Sequence, residues 1–317
     1  MIDFSKLGYT KPLYILPFDH RATFAKKMFN KNSILDLNGE EKELIREFKM
    51  LIYKGFKDAL EKLIPTDYAA ILCDEEFGGE VLLDALHNRF KTILTVEKSG
   101  EDEFKFQYPD FEEHIKKYHP TFVKVLVRYN PEDPDELKNR QKKNLKLVSD
   151  FCHDNNYKFL IEVLVIPTQT QLKDAGTKDA YDRKFRCDLT VEMIKELQDF
   201  GIEPDVWKLE GFDQVLDYEK VLKTIKREGR EFVNLVVLGR GANEEKVDEW
   251  LTTGAREEWF EVGSRVEGVI GFAVGRTIFW DALEKFYKGK IGKTAVIQTV
   301  SENFQKFYGV FSQLKNF

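Results

Sequence analysis

Histidine and cysteine are scarce in this chain, and neither is spaced for a metal. The five histidines, His20, His87, His114, His119 and His153, form no His-x-His or His-Glu-x-x-His pair, so a zinc hydrolase or zinc aldolase has no visible ligand set. The three cysteines, Cys73, Cys152 and Cys187, are odd in number and read as free thiols of a reducing cytoplasm. No basic block stands out against a net charge of −6, which argues against a nucleic-acid partner. No apolar run reaches membrane length, and no secretory segment is evident at the N-terminus. No Gly-x-Gly-x-x-Gly follows the first strand-like run, which counts against a doubly wound dinucleotide-binding sheet. No low-complexity linker divides the chain, so residues 1–317 are expected to form one domain with a C-terminal helical extension.

What is present is an alternation of short apolar runs and longer amphipathic stretches. The strand candidates are Leu13 to Phe18, Tyr68 to Cys73, Thr92 to Val96, Phe122 to Val127, Phe159 to Val165, Val206 to Leu209, Phe232 to Leu238 and Gly268 to Val274. Most are nearly continuous in hydrophobicity, as parallel strands covered on both faces must be. Helical patterns lie between them at Glu41 to Leu63, Gly79 to Asn88, Asp110 to Lys117, Pro134 to Asp154, Leu189 to Phe200, Gln214 to Arg227 and Glu244 to Arg256. Eight strands alternating with helices predict a closed (β/α)8 barrel. The stretch Pro167 to Arg186 reads as an irregular, polar region, either an active-site lid over the barrel mouth or a plain solvent loop. The helix-spaced Phe304, Phe307 and Phe311 fit either core or a subunit contact, which leaves a homo-oligomer open.

Three ionisable residues sit where strands should be apolar: Lys124 in Phe122 to Val127, Glu162 in Phe159 to Val165, and Lys208 in Asp205-Val206-Trp207-Lys208-Leu209-Glu210-Gly211. A charge inside an apolar strand is costly unless it is paired or lost. Burial favours the neutral form of an amine, and a neutral amine is a nucleophile toward carbonyls. Each residue alone fits a structural ion pair; two lysines and a glutamate together are the parts of a Schiff-base enzyme. The expected strand ends add Asp19, His20 and Arg21 after strand one, Asp74, Glu75 and Glu76 after strand two, and Glu97 and Lys98 after strand three. Such ends face the substrate in barrel enzymes. Gly239-Arg240-Gly241 and Gly275-Arg276 then fall at corresponding places after strands seven and eight. Glycines let backbone N–H groups approach an anion and arginines fork onto it, so this pair reads as a phosphate site. A Mg²⁺ ion held by Asp19, Asp74 and Glu75 is the competing arrangement, although it would leave the lysines without a purpose.

The ordered set Phe18-Asp19-His20-Arg21, Leu72 to Gly78, Glu97-Lys98-Ser99-Gly100, Val123-Lys124-Val125-Leu126, Leu160-Ile161-Glu162, Trp207-Lys208-Leu209-Glu210 and Gly271 to Arg276 resembles the class I tagatose-1,6-bisphosphate aldolase family. The likeness is nearer to the aldolase-like domain fused to 5-dehydro-2-deoxygluconokinase in bacterial inositol catabolism. That rests on Leu16 to Arg21, Arg128-Tyr129-Asn130-Pro131-Glu132-Asp133, Gly239 to Ala242 and Gly271 to Trp280. The resemblance implies a (β/α)8 barrel and reversible aldol cleavage with no cofactor beyond a covalent lysine imine. It puts the Schiff-base lysine at Lys208, the neighbouring lysine at Lys124, the acid/base group at Glu162 and the phosphate arginine at Arg276. Asp19 would orient a lysine or a substrate hydroxyl. The chain departs from the tagatose enzymes at Gly239-Arg240-Gly241, where they carry a serine-containing turn, and at His20, where they tend to have glutamine. The implied substrate is 2-deoxy-5-keto-gluconate 6-phosphate, cleaved to dihydroxyacetone phosphate and malonate semialdehyde, with Arg21, Arg128 or Arg240 reading the carboxylate. Another ketose phosphate, such as a tagatose bisphosphate or a sulfo-sugar phosphate, is the nearest alternative. A non-catalytic sugar-phosphate-binding protein is the alternative of another class.

Overall fold

A computed structural model describes residues 3–239 and 262–312. Eight parallel strands close into a barrel in sequence order. They are β1 (Leu13–Pro17), β2 (Ala69–Cys73), β3 (Lys91–Thr95), β4 (Phe122–Arg128), β5 (Lys158–Leu164), β6 (Val206–Glu210), β7 (Asn234–Leu238) and β8 (Val269–Ala273). The predicted (β/α)8 barrel is the fold observed. All eight expected strands are present within a few residues of their expected bounds, because continuous apolar runs have two faces to bury and the barrel supplies both. The helix expected over Glu244 to Arg256 lies outside the described residues.

Helices α1 (Ala22–Phe29) and α2 (Gly39–Lys62) follow β1, and α3 (Glu75–His87) follows β2. Helices α4 (Phe111–Tyr118) and α5 (Asp135–Asp154) follow β3 and β4. The segment after β5 differs from expectation. It forms two short helices, α6 (Gln169–Ala175) and α7 (Lys178–Lys184), before α8 (Arg186–Asp199). Their starts have a local cause. The Thr168 hydroxyl accepts from the Gln171 amide while the Gln171 side chain accepts from the Thr168 amide, and at the start of α7 the Thr177 hydroxyl accepts from the Ala180 amide. Helix α9 (Val215–Ile225) follows β6, and α10 (Arg276–Tyr287) follows β8. The C-terminal α11 (Lys293–Ser312) packs on α2, where a Cβ on Gly55 would lie 2.6 Å from Val300. Phe304, Phe307 and Phe311 of α11 are buried in that core.

Side-chain alternation along the strands divides the molecule. One set, including Leu13, Ile15, Leu72, Phe122, Leu160, Val206 and Val236, packs inside the barrel. Tyr9 joins it, with its ring edge on Phe122. The other set faces the helices in a much larger apolar layer. Successive strand side chains point to opposite faces. The residues two positions beyond Ile93, Phe122, Leu160 and Val206 therefore point inward one layer higher. Those residues are Thr95, Lys124, Glu162 and Lys208.

The β8–β1 seam leaves no room for a side chain at Gly271. Gly271 pairs with Leu13, and a Cβ at position 271 would lie 1.8 Å from the Leu13 carbonyl oxygen. Backbone on both sides leaves no flexible atom to yield. Gly271→Ala should cost about 3 kcal/mol or more, within the range for overpacking and strain. A thermal melt decides it: a variant melting like the parent would mean that the seam opens without penalty.

Candidate active site

Five ionisable side chains meet in the upper layer of the barrel. Lys124 Nζ lies 2.9 Å from Asp19 Oδ2, 2.6 Å from Glu97 Oε1 and 3.1 Å from Glu162 Oε2. The same Glu162 oxygen lies 2.8 Å from Lys208 Nζ. Glu162 and Lys208 are register partners on β5 and β6, so this contact follows from strand alignment alone. Lys124 has a side-chain exposure of 1% and Lys208 of 5%.

The charges set one another's protonation. Burial alone would lower the Lys124 amine, but Asp19, Glu162 and Glu97 outweigh it and raise the group well above 10.5. Lys124 is held as an ammonium. Burial would likewise raise the Glu162 carboxyl, yet Lys124 and Lys208 together hold it below its usual value. Asp19 follows the same balance and is lowered by Lys124 first, then by His20 and Lys208. Glu162 is thus a carboxylate wedged between two amines, in the form that accepts a proton.

Glu97 acts as a brace within this cluster. One of its oxygens takes Lys124 and the other accepts from the Thr95 hydroxyl. Its own backbone bridges to Phe106 across the loop after β3. Thr95 is a site residue that sequence reading missed. The signal was there, since Thr95 stands two residues beyond the inward-facing Ile93.

Several other expected site residues are committed elsewhere. Arg21 is buried and donates to the Glu97 carbonyl at 2.7 Å and to Gln107 at 3.1 Å. It fastens the end of β1 to the loop after β3. Asp74 is fully buried, paired with Lys49, and accepts from the Phe77 amide at 2.9 Å as the N-cap of α3. Glu75 pairs with His114 at 2.5 Å and Lys117 at 2.8 Å. The trio Asp19, Asp74 and Glu75 is therefore not gathered around one point. Among the described residues, no group of three or more His, Cys, Asp or Glu side chains is arranged to hold a metal. Lys98 is half exposed and pairs with Glu101 at 2.8 Å. Arg128, at the end of β4, donates to the Glu101 carbonyl at 2.7 Å. A hollow lined by Arg21, Glu76, Tyr108 and His114 is not bordered by any of Lys124, Glu162 and Lys208.

The expected phosphate turns lie on neighbouring strand ends, since Leu238 of β7 pairs with Ala273 of β8. The Gly239 amide continues that pairing to the Ala273 carbonyl at 3.2 Å. Gly275 and Arg276 open α10, so the amides of a helix N-terminus accompany the guanidinium. Gly275 is required there. A Cβ would lie 2.4 Å from the Pro17 carbonyl and 3.3 Å from His20 Cε1. Arg240 and Gly241 lie outside the described residues.

The sequence profile of a family described as "Uncharacterized protein conserved in bacteria (DUF2090)" matches residues 6–315. The chain belongs to the DUF2090 family. No curated protein matches this DUF2090 sequence. Among solved structures, it is similar to an archaeal fructose 1,6-bisphosphate aldolase, with a TM-score of 0.52, 11% identity, and 94% of each chain covered. It is also similar to an archaeal fructose-1,6-bisphosphate aldolase whose catalytic lysine is covalently bound to the carbinolamine intermediate of the substrate. There the TM-score is 0.50 at 11% identity, covering 92% of this chain and 94% of that one. At this identity the likeness establishes the DUF2090 fold as shared with these barrels.

His20 stands at the edge of the charged cluster, its ring 6.0 Å from that of Phe279. Its Nδ1 is buried with no hydrogen-bond partner among the described residues. Burial, then the positive charges of Arg276, Lys49 and Lys208, push the imidazole from 6.5 down to about 3 against the opposing pull of Asp19. Below pH 6.5 the unfolded chain binds a proton here that the folded chain refuses, so folding stability falls as pH drops. His20→Gln should flatten that fall between about pH 6.5 and 5, above the range where carboxylates titrate. Denaturant titrations across this window test it; equal slopes for parent and variant would mean that His20 protonates in the folded state.

Proposed function

We propose that this protein is a class I aldolase, a lyase that breaks a carbon–carbon bond through an imine on Lys208. One observation carries the reading: Glu162 Oε2 stands 2.8 Å from Lys208 Nζ and 3.1 Å from Lys124 Nζ inside a buried layer of the barrel. The archaeal aldolase with its lysine covalently bound shares the fold, which lends support by analogy alone.

Imine formation starts from the amine form of lysine, so a proton must leave Lys208. Glu162 is next to it and in the accepting form. The amine nitrogen adds to the ketone carbon to give a carbinolamine. The hydroxyl then leaves as water, taking the proton that Glu162 accepted, and an iminium remains. Glu162 next removes the proton from the hydroxyl of the departing fragment. That carbon–oxygen bond becomes a carbonyl, the carbon–carbon bond breaks, and its electron pair flows to the iminium nitrogen as an enamine. Protonation of the enamine carbon and addition of water release the ketone product and regenerate the amine. Lys124, an ammonium held by three carboxylates, keeps Glu162 ionised for each cycle.

The substrate class is a phosphorylated keto sugar or keto sugar acid, with Arg276 and the α10 N-terminus as the phosphate grip. Within it we favour 2-deoxy-5-keto-gluconate 6-phosphate. Cleavage between its third and fourth carbons gives malonate semialdehyde and dihydroxyacetone phosphate. Support comes from the sequence likeness at Leu16 to Arg21, Arg128 to Asp133 and Gly271 to Trp280. Of the carboxylate-reading candidates, Arg21 is buried and spends two nitrogens inside the protein, which favours Arg128, with one bond to the Glu101 carbonyl, and Arg240.

Dihydroxyacetone phosphate with borohydride should add mass to the peptide containing Lys208. Labelling that persists at the same level in Lys208→Ala would contradict the assignment. Glu162→Gln should still be labelled but turn over about 10²-fold more slowly, since the amide keeps the shape and loses the proton transfer. Turnover within a few-fold of the parent would move that role to another group.

A further inference from the structure

The buried positions of α2 are uncharged except for Lys49, which lies on the same stripe as Ile45, Phe48, Ile52 and Phe56. Its ammonium reaches the top of the barrel from the outside. It pairs with Asp74 and donates to the Phe18 carbonyl at 2.8 Å. Both partners of the pair have no exposed surface. Around its stem the packing is close. A Cβ on Gly78 of α3 would lie 2.0 Å from Cys73 Sγ and 3.7 Å from Lys49 Cδ, and the Phe24 ring lies 5.9 Å from Nζ.

Such a pair is a poor source of stability. Two ions are stripped of water, and apolar replacements of similar shape are often as stable or more so. Asp74 already has a helix cap to make with its other oxygen. What Lys49 adds is a hold on Phe18, the residue immediately before Asp19. The Phe18 amide is tied to the Leu72 carbonyl at 2.8 Å, so both sides of this residue are fixed. Asp19 then meets Lys124 at 2.9 Å, and Lys124 meets Glu162.

We propose that Lys49 is a positioning residue: by holding the Phe18 carbonyl it keeps Asp19 against Lys124, and through Lys124 it sets Glu162 against Lys208. The catalytic consequence rests on reading Lys208 as the reactive amine. The geometric claim does not. The competing explanation is a staple that serves folding alone, and the two predict opposite changes in stability and reactivity.

The double variant Lys49→Met/Asp74→Asn removes both charges while Asn keeps the oxygen that caps α3. It should melt at or above the parent temperature. Its crystal structure should show the Asp19–Lys124 contact opened beyond hydrogen-bond reach. Borohydride labelling of Lys208 by dihydroxyacetone phosphate should slow by roughly 10- to 100-fold, the scale for a misplaced catalytic group. Asp74→Asn alone keeps the hold on Phe18 but leaves a charge unpaired. It should melt lower than the parent and still label at the parent rate. A double variant that keeps the Asp19–Lys124 contact, or that fails to fold, overturns the proposal. If the parent itself is not labelled, the imine reading falls, and the Asp19–Lys124 distance in the double variant still decides the role of Lys49.

Discussion

A single carboxylate oxygen shared by two buried amines is the constraint around which this barrel is arranged. Glu162 Oε2 contacts both Lys124 and Lys208, and neither contact survives if a strand slips. A slip of one residue would turn every side chain on that strand to the other face. The apolar layer below, with Phe122, Leu160 and Val206 packed together inside the barrel, locks that register. Hydrophobic packing in the lower barrel thus supplies the alignment that the charged layer above requires.

The charged layer does not explain the stability of the fold. Desolvating several ions costs free energy, and their mutual attraction offsets that cost only when every lone pair and proton is engaged. Engagement is close to complete around Lys124. Its three carboxylates are themselves held, Glu97 by Thr95 and Asp19 by the fixed end of β1. Lys208 is different. Among the described residues its ion-pair partner is Glu162, so one lysine is surrounded by carboxylates while the other meets them through a single oxygen. That asymmetry supports the proposed division of labour between Lys124, which organises charge, and Lys208, which reacts.

Much of this was legible in the sequence. Lys124, Glu162 and Lys208 announce themselves because an ionisable residue in a strand buried on both faces has no bland place to go. The strands were legible for the same reason. Helices α6 and α7 are too short for an apolar periodicity to announce them, although Thr168 and Gln171 carry the spacing of a reciprocal cap. Rim residues were less legible because side-chain direction there depends on non-local contacts. Arg21 turns toward the Glu97 carbonyl, and Glu97 depends on a bridge to Phe106. Lys49 was the hardest to read, even though a lysine on an apolar helical stripe is a signal. Its meaning depends on which strand end that helix meets, and only tertiary packing sets that.

The most direct test of the account is the crystal structure of the protein after reduction in the presence of dihydroxyacetone phosphate. The account predicts continuous density from Lys208 Nζ to the former ketone carbon, Glu162 within hydrogen-bond reach of the new bond, and the phosphate beside Arg276 at the start of α10. Density joined to Lys124 instead, or a ligand seated in the barrel mouth with no covalent link to any lysine, would contradict it.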